Sequence, residues 1–244
     1  MTQPADQQPV PAGNGAPPEI FSVVSSRRVF DGVVASVRID EVVMPGGGTA
    51  EREVVEHGGA VAIVALDIPS LTEPPPDGGW TPGVILIEQY RHAFGRRLWE
   101  LPAGLLDVAG EAEHAAAERE LTEETGYRAT NWAVLLDVAT SPGFTDESVR
   151  IFVATGLTQV GRPDSEHEEA DLRVVRVPLA VAVQAALAGQ IVNVMAVSGI
   201  LAADAVLRGA VLRAQEQPVQ DQPWQVHRGS GTPAAPPLDG IALR

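Results

Sequence analysis

Cysteine is absent from all 244 residues, so the chain has neither disulfides nor a thiolate site, a composition that suits the cytoplasm. Basic side chains are few: 17 face 32 acidic ones, for a formal net charge of -15. No Lys/Arg cluster is long enough to track a nucleic-acid backbone, so nucleic acid is not an expected partner. Long apolar runs are also missing. The best candidate, Ile191 to Val206, is short, contains Asn193 and Asp204, and reads as a packed helix rather than a membrane span. The start of the chain has no basic region leading into an apolar run, so neither a leader nor a membrane anchor is expected there.

Proline, glycine and glutamine collect at the two ends. Residues 1–20 read as a disordered arm and 216–244 as a flexible tail, which leaves one domain over 21–215. Within it, Phe21–Phe30 and Val33–Val43 are β-branched and partly alternating around an Asp31-Gly32 turn. Pro45-Gly-Gly-Gly48 separates the second run from Arg52–Glu56, which predicts an antiparallel hairpin turning at the glycines. Ala60–Leu66 and Gly83–Tyr90 are denser runs expected as buried strands, joined by a Pro/Gly-rich surface loop. Further strands are expected over 132–139, 149–155 and 172–177, and helices over 111–125 and 179–212, the second broken at Gly189-Gln190 and again near Gly199. Strands dominate the first half around one acidic helix. That order fits a mixed α/β sandwich better than a regular βαβ series.

The acidic helix lies in GLLDVAGEAEHAAAERELTEETGY, Gly104 to Tyr127, which holds seven acids in 24 residues. Good helix formers run from Ala115 to Leu121, and Gly126 supplies a left-handed cap. Glu120 and Glu124 are four apart and therefore share a face. Without a cation such a pair repels by roughly 0.2–0.5 kcal/mol; hard carboxylate oxygens would instead coordinate Mg²⁺ or Mn²⁺. A helix this acidic is ordinarily a solvated surface, and Glu118 is expected to face water. The ordered combination of a glycine-bearing loop, Glu111, Arg119-Glu120 and Glu123-Glu124-x-Gly126 outweighs that reading.

Those residues resemble the signature of the Nudix hydrolases, with Gly104, Glu111, Arg119, Glu120, Leu121, Glu123, Glu124 and Gly126 in order. Two departures stand out: six rather than five residues separate Gly104 from Glu111, and Tyr127 replaces an aliphatic residue. The likeness extends through EQYRHAFGRRLWELPAGLLD, Ser141-Pro-Gly143, FTDESVRIFVATGL and GRPDSEHEEAD, and there it is similar to the actinobacterial type of the ADP-ribose pyrophosphatase branch. The resemblance implies a Nudix-type α/β/α sandwich with a mixed sheet, preceded by an N-terminal antiparallel hairpin whose strands, about 21–56, make a homodimer.

The resemblance also implies metal-dependent hydrolysis of a small nucleoside diphosphate sugar, ADP-ribose, to AMP and ribose 5-phosphate. A broader ADP-sugar or nucleoside-diphosphate-sugar diphosphatase is the alternative enzyme, and an ADP-ribose-sensing module the alternative outside catalysis. Two or three Mg²⁺ or Mn²⁺ ions are implied, held by the Ala103 carbonyl, Glu120 and Glu124, with Glu123 accessory. Glu169 would complete the metal set and activate water, with Glu168 the near alternative and His167 ranked below both. Gly104, Glu111, Arg119 and Gly126 take structural roles. Arg91, foremost, and Arg96 are candidates for the phosphates, ahead of Arg97, because a guanidinium fork matches phosphate oxygens. Arg52 is a candidate for clasping adenosine from a neighbouring subunit, and Phe30 and Trp99 are candidates for stacking or packing.

Overall fold

The computed structural model describes residues 20–71, 81–163, 171–209 and Val219. Its contacts separate two compact units where the sequence reads as one domain: residues up to 57 with 141–146, and residues 58–140 with 147–226. The reason is local, because the strands of the first unit bond chiefly to one another.

The first unit is a three-stranded antiparallel sheet that includes the expected hairpin at the glycines: β1 (Val23–Asp31), β2 (Ala35–Val43) and β3 (Thr49–His57) lie in sequence order. Gly46, Gly47 and Gly48 all have positive φ, so the β2–β3 turn is built from residues that meet no side-chain penalty there. The Phe144 carbonyl accepts the Val55 N–H at 2.8 Å, and the Asp146 carboxylate accepts the His57 N–H at 2.9 Å. Arg38 donates to Asp40 along its own strand and to Glu56 on β3. β1 is exposed along its whole length, although it carries Val23, Val24, Val29 and Phe30.

The second unit contains β4 (Ala60–Ala65), β5 (Gly83–Arg91), β6 (Arg96–Glu100), β7 (Ala103–Leu105), α1 (Glu113–Thr125), β8 (Tyr127–Arg128), β9 (Asn131–Ala139), β10 (Ser148–Thr155), β11 (Thr158–Gln159), β12 (Arg173–Pro178), α2 (Leu179–Leu187) and α3 (Val194–Leu207). One sheet has the order β7-β4-β10-β9 and is mixed, since β10 runs parallel to β4 and the other pairs are antiparallel. Another has the order β12-β5-β6 and is antiparallel. β8 and β11 form a short ribbon.

Both faces of the mixed sheet are covered, so its central strands are apolar without alternation. Val61, Ile63, Ala65 and Phe152 pack with Ala116, Ala117 and Leu121 of α1. Ala62, Val64, Ile151 and Val153 pack with Ala196, Ile200 and Ala203 of α3 and with Leu179 and Ala182 of α2. The layering is α/β/α with a mixed sheet, as expected.

Several boundaries differ from expectation. The acidic helix begins at Glu113, so Glu111 precedes it. The long C-terminal helix is interrupted over residues 188–193, which include the expected break at Gly189-Gln190, and Asn193 restarts it by accepting the Ala196 N–H at 3.1 Å. Gly199 makes no break. It sits inside α3, where a Cβ would lie 2.8 Å from both Leu101 and Val64 side chains, so the glycine permits close packing of helix on sheet. Val219, beyond the expected domain end, is partly buried against the core cluster beneath α1.

Candidate active site

The mixed sheet and α1 bring the signature together. β7 pairs with β4 so that Gly104 lies opposite Val61, on the face that α1 covers. From α1, the Glu120 carboxylate occupies the position a Cβ of residue 104 would take. Any larger residue there would displace the acid, which explains why this loop position is glycine. Glu120 is 8% exposed and Glu124 5%. Glu124 accepts the Ala103 N–H through Oε2 at 2.9 Å, which ties the strand to the helix.

Arg119 orders the acids around it. Its Nε and Nη2 donate to the two oxygens of Glu111 at 3.1 and 3.0 Å, a bidentate pair. Its Nη1 donates to Glu120 at 2.6 Å and to Glu123 at 3.1 Å. The hydrogen bonds donated to Glu111, followed by the charge of Glu120, hold the Arg119 pKa well above its ordinary value despite desolvation. The hydrogen bond from Arg119 in turn lowers that of Glu111. Glu111 and Arg119 are thus joined to each other, and Glu123 turns toward Arg119.

Three carboxylates around one guanidinium, with Glu124 beside them, leave an excess of negative charge. Glu120 and Glu124 present hard oxygens beside a backbone segment that comes close only because residue 104 lacks a Cβ. That donor set fits a hard divalent cation as a two-carboxylate platform. Among the described residues, no group of three His, Asp or Glu side chains is arranged to hold a metal, so the platform needs further oxygens from elsewhere. Glu168 and Glu169, the expected contributors, and His167 lie outside the described residues.

The expected substrate residues are dispersed. Arg91 is bound to Glu100, donating from Nε at 2.9 Å and from Nη2 at 2.7 Å to a carboxylate that is 0% exposed. Its guanidinium thus pairs with a buried acid. Arg96 shares that side of the β5–β6 ladder, is exposed, and has no ion pair among those found in the described residues. Trp99 falls on the other face of β6, packed against the α2/α3 core with the Arg173 guanidinium 5.7 Å from its ring centroid. Packing is one of the two roles expected of Trp99, and strand alternation separates it from Arg96 and Glu100. Arg97 donates to the Asp171 carboxylate. Arg52 and Phe30 belong to the first unit, where Arg52 donates to the Glu51 carbonyl at 2.9 Å and Phe30 is 59% exposed.

Glu100 was not singled out by sequence reasoning, although an acid in the otherwise apolar Leu98–Leu101 stretch was a signal. His114 was also passed over. It opens α1 edge-on to Trp132, with ring centroids 5.1 Å apart, and Phe152 lies 5.9 Å away. Its Nε2 is buried without a hydrogen-bond partner, 3.9 Å from Glu118, and burial lowers its pKa. Glu118 itself is exposed, as expected. It lines a cleft of ≈ 570 Å³ along the outer flank of α1, with Arg119, Glu123, Arg128, Trp132 and Pro163.

The family model described as "NUDIX domain" matches residues 75–195. The chain is 52% identical over 204 residues to the ADP-ribose pyrophosphatase of Mycobacterium tuberculosis (strain ATCC 25618 / H37Rv), covering 84% of this chain and 91% of that protein. It is 34% identical over 156 residues to the ADP-ribose pyrophosphatase of Bacillus subtilis (strain 168), covering 64% and 77%. Among solved structures, one described as "Crystal structure of ADP compounds hydrolase" superposes with a TM-score of 0.62 at 23% identity, over 80% of this chain and 98% of that one. At that identity the likeness establishes the fold alone.

Proposed function

The chain belongs to the Nudix hydrolase family, and from that premise we propose that it hydrolyses the diphosphate of ADP-ribose to AMP and ribose 5-phosphate. The observation that carries the chemistry is the buried Glu120–Glu124 pair set against Gly104. The choice of ADP-ribose is supported by the relative that is 52% identical over 91% of its own length. Nudix ADP-ribose pyrophosphatases depend on divalent metal. Two or three Mg²⁺ or Mn²⁺ ions are proposed here, with Glu120, Glu124 and the Ala103 carbonyl as ligands, Glu123 as accessory and Glu169 completing the set.

In the reaction a water oxygen forms a bond to one phosphorus, the bond from that phosphorus to the bridging oxygen breaks, and the water proton leaves. Bound divalent metal supplies charge to offset the diphosphate and lowers the pKa of coordinated water. The protein's own contribution is position. Arg119 fixes one Glu120 oxygen, and the Ala103 N–H fixes one Glu124 oxygen. Arg91, foremost, and Arg96 take phosphate charge. Glu169, with Glu168 the near alternative, removes the proton, and His167 does not.

A homodimer formed through the 21–56 strands is proposed as the assembly. Its support is the exposed apolar surface of β1, which includes Val23, Val24, Val29 and Phe30. The function is tested by product analysis over a panel of nucleoside diphosphate compounds with Mg²⁺ and with Mn²⁺. ADP-ribose is expected to be cleaved fastest, to AMP and ribose 5-phosphate. Faster cleavage of another nucleoside diphosphate sugar would assign the broader activity. Tight binding of ADP-ribose without cleavage under either metal would make the chain a sensor.

A further inference from the structure

Glu100 is a fully buried acid that the signature does not include. It ends β6, and the chain runs from it through Leu101-Pro102 to Ala103. That segment is pinned on both sides: the Pro102 carbonyl accepts the Ile63 N–H at 2.9 Å, and the Ala103 N–H donates to the Glu124 carboxylate at 2.9 Å. Three residues of extended chain span at most about 11 Å. Glu100 is therefore held beside the Glu120–Glu124 platform by backbone that cannot drift from it.

Its partner reaches it along the sheet. In the β5–β6 ladder Arg91 stands opposite Arg96, and Ile87 opposite Glu100, so the arginine and the acid are four residues apart along the strands. That is about 13 Å of strand, which two side chains close only by extending toward each other. They meet at two points, Arg91 Nε to Oε1 at 2.9 Å and Nη2 to Oε2 at 2.7 Å. A two-point pair sets the plane of a guanidinium as well as its place. The Arg91 side chain is 40% exposed against 0% for Glu100, so the pair has a buried anchor and an open head. Five N–H donors exceed what one carboxylate takes.

We propose that Glu100 is a positioning residue for diphosphate binding: it fixes the plane and place of the Arg91 guanidinium relative to the Ala103–Glu124 contact, so that the solvent-facing side of the fork meets a phosphate oxygen. This rests on the reading that Arg91 takes phosphate charge in ADP-ribose hydrolysis. Glu100 itself touches no substrate in this assignment. Glutamine in its place keeps the volume but turns an amide donor toward the donors of Arg91, which removes the two-point pair.

The test uses the full-length protein and steady-state hydrolysis of ADP-ribose, with substrate and Mg²⁺ each titrated. Glu100→Gln should raise KM roughly 10-fold and leave kcat within about threefold, because the lost contact is made in ground and transition states alike. The Mg²⁺ concentration for half-maximal activity should stay within about twofold of the parent, since Ala103 and Glu124 keep their contact. Glu100→Asp, which keeps the charge and shortens the reach, should fall between the two. Arg91→Lys should raise KM at least as far, and adding Glu100→Gln to it should cost less than about twofold more. Should Glu100→Gln fail to fold, Glu100→Asp takes its place in the same cycle. A parent-like KM in Glu100→Gln beside an impaired Arg91→Lys overturns the positioning role. So does a KM effect that multiplies in the double variant, or one that comes with a rise of about fivefold or more in the Mg²⁺ requirement, either of which marks a structural disturbance of the platform. A parent-like KM in Arg91→Lys removes Arg91 from the phosphates and the proposal with it. A parent that leaves ADP-ribose uncleaved defeats the functional reading itself, and is told apart by the absence of turnover in every variant.

Discussion

Glu118 and Glu120 stand two positions apart on one helix and meet different surroundings. Glu118 faces solvent, whereas Glu120 is enclosed by Gly104 and Arg119. Replacing Glu120 with Gln should lower kcat by orders of magnitude while the melting temperature changes little; Glu118→Gln should stay within about twofold, as surface changes do. Gly104→Ala probes the same contact from the strand. The added Cβ would occupy the space of the Glu120 carboxylate, so kcat should fall by about 10²-fold with far-UV circular dichroism unchanged. Parent-like turnover in Gly104→Ala would show that Glu120 can act from another position. The pairing of Glu120 with Glu124 was legible because four residues is one helical turn, and Arg119 because the signature orders it. The pairing of Glu100 was not, since its partner Arg91 comes from the adjacent strand of a hairpin and no local spacing announces a cross-strand ion pair. The same holds for Arg150, fully buried in β10 against Asp137 of β9 at 2.9 Å.

The elements that periodicity identified were the long ones. β4, β5, β9, β10, α1 and α3 all lie near their expected ranges, because each has enough residues to display a period or a dense apolar run. β6 and β7 read as part of a loop, since strands of five and three residues around a proline carry no pattern; they are stabilised by neighbours distant in sequence. Two element-level outcomes follow from packing. Gly199→Ala adds a methyl where α3 meets Leu101 and Val64, and overpacking of that kind costs about 1–3 kcal/mol, which outweighs a gain in helix propensity of about 1 kcal/mol. The denaturation midpoint should therefore fall. At the other end of α1, His114 has a folded-state pKa below its unfolded value, chiefly through burial, partly offset by Glu118. Its ring faces Trp132 and Phe152 from the sheet, neither of which titrates in this range. The unfolded state therefore binds the proton first, so stability is lost as pH falls from about 7 through the ordinary histidine range near 6.5. Denaturation midpoints at pH 7.5 and pH 5.5 should differ more for the parent than for His114→Leu. Equal differences would remove His114 from the pH response.

For the molecule as a whole, a charge of -15 opposes the proposed diphosphate substrate, and the cation binding proposed at the acidic helix reconciles them. The three-stranded sheet is the other whole-molecule feature. Its β1 strand leaves valines and a phenylalanine in solvent, and the proposed dimer covers them. Sedimentation should give twice the chain mass for the parent, and a smaller species for a Val29→Glu, Phe30→Glu double variant; a monomeric parent would refute the assembly. Composition alone pointed away from nucleic acid and membrane, and among the described residues no helix is long and apolar enough to cross a bilayer. The layered α/β/α fold was legible through the signature, while the division into two units was not, because it depends on which strands bond to which. The central claim is that Glu120 and Glu124 serve a metal-dependent hydrolysis of ADP-ribose. Release of AMP from ADP-ribose, followed with Mg²⁺, with Mn²⁺ and with chelator, for the parent and for Glu124→Gln, tests it most directly. Equimolar AMP and ribose 5-phosphate from the parent, abolished by chelator and reduced by orders of magnitude in Glu124→Gln, is the predicted result. AMP release that persists in chelator, or that Glu124→Gln sustains at the parent rate, would contradict it.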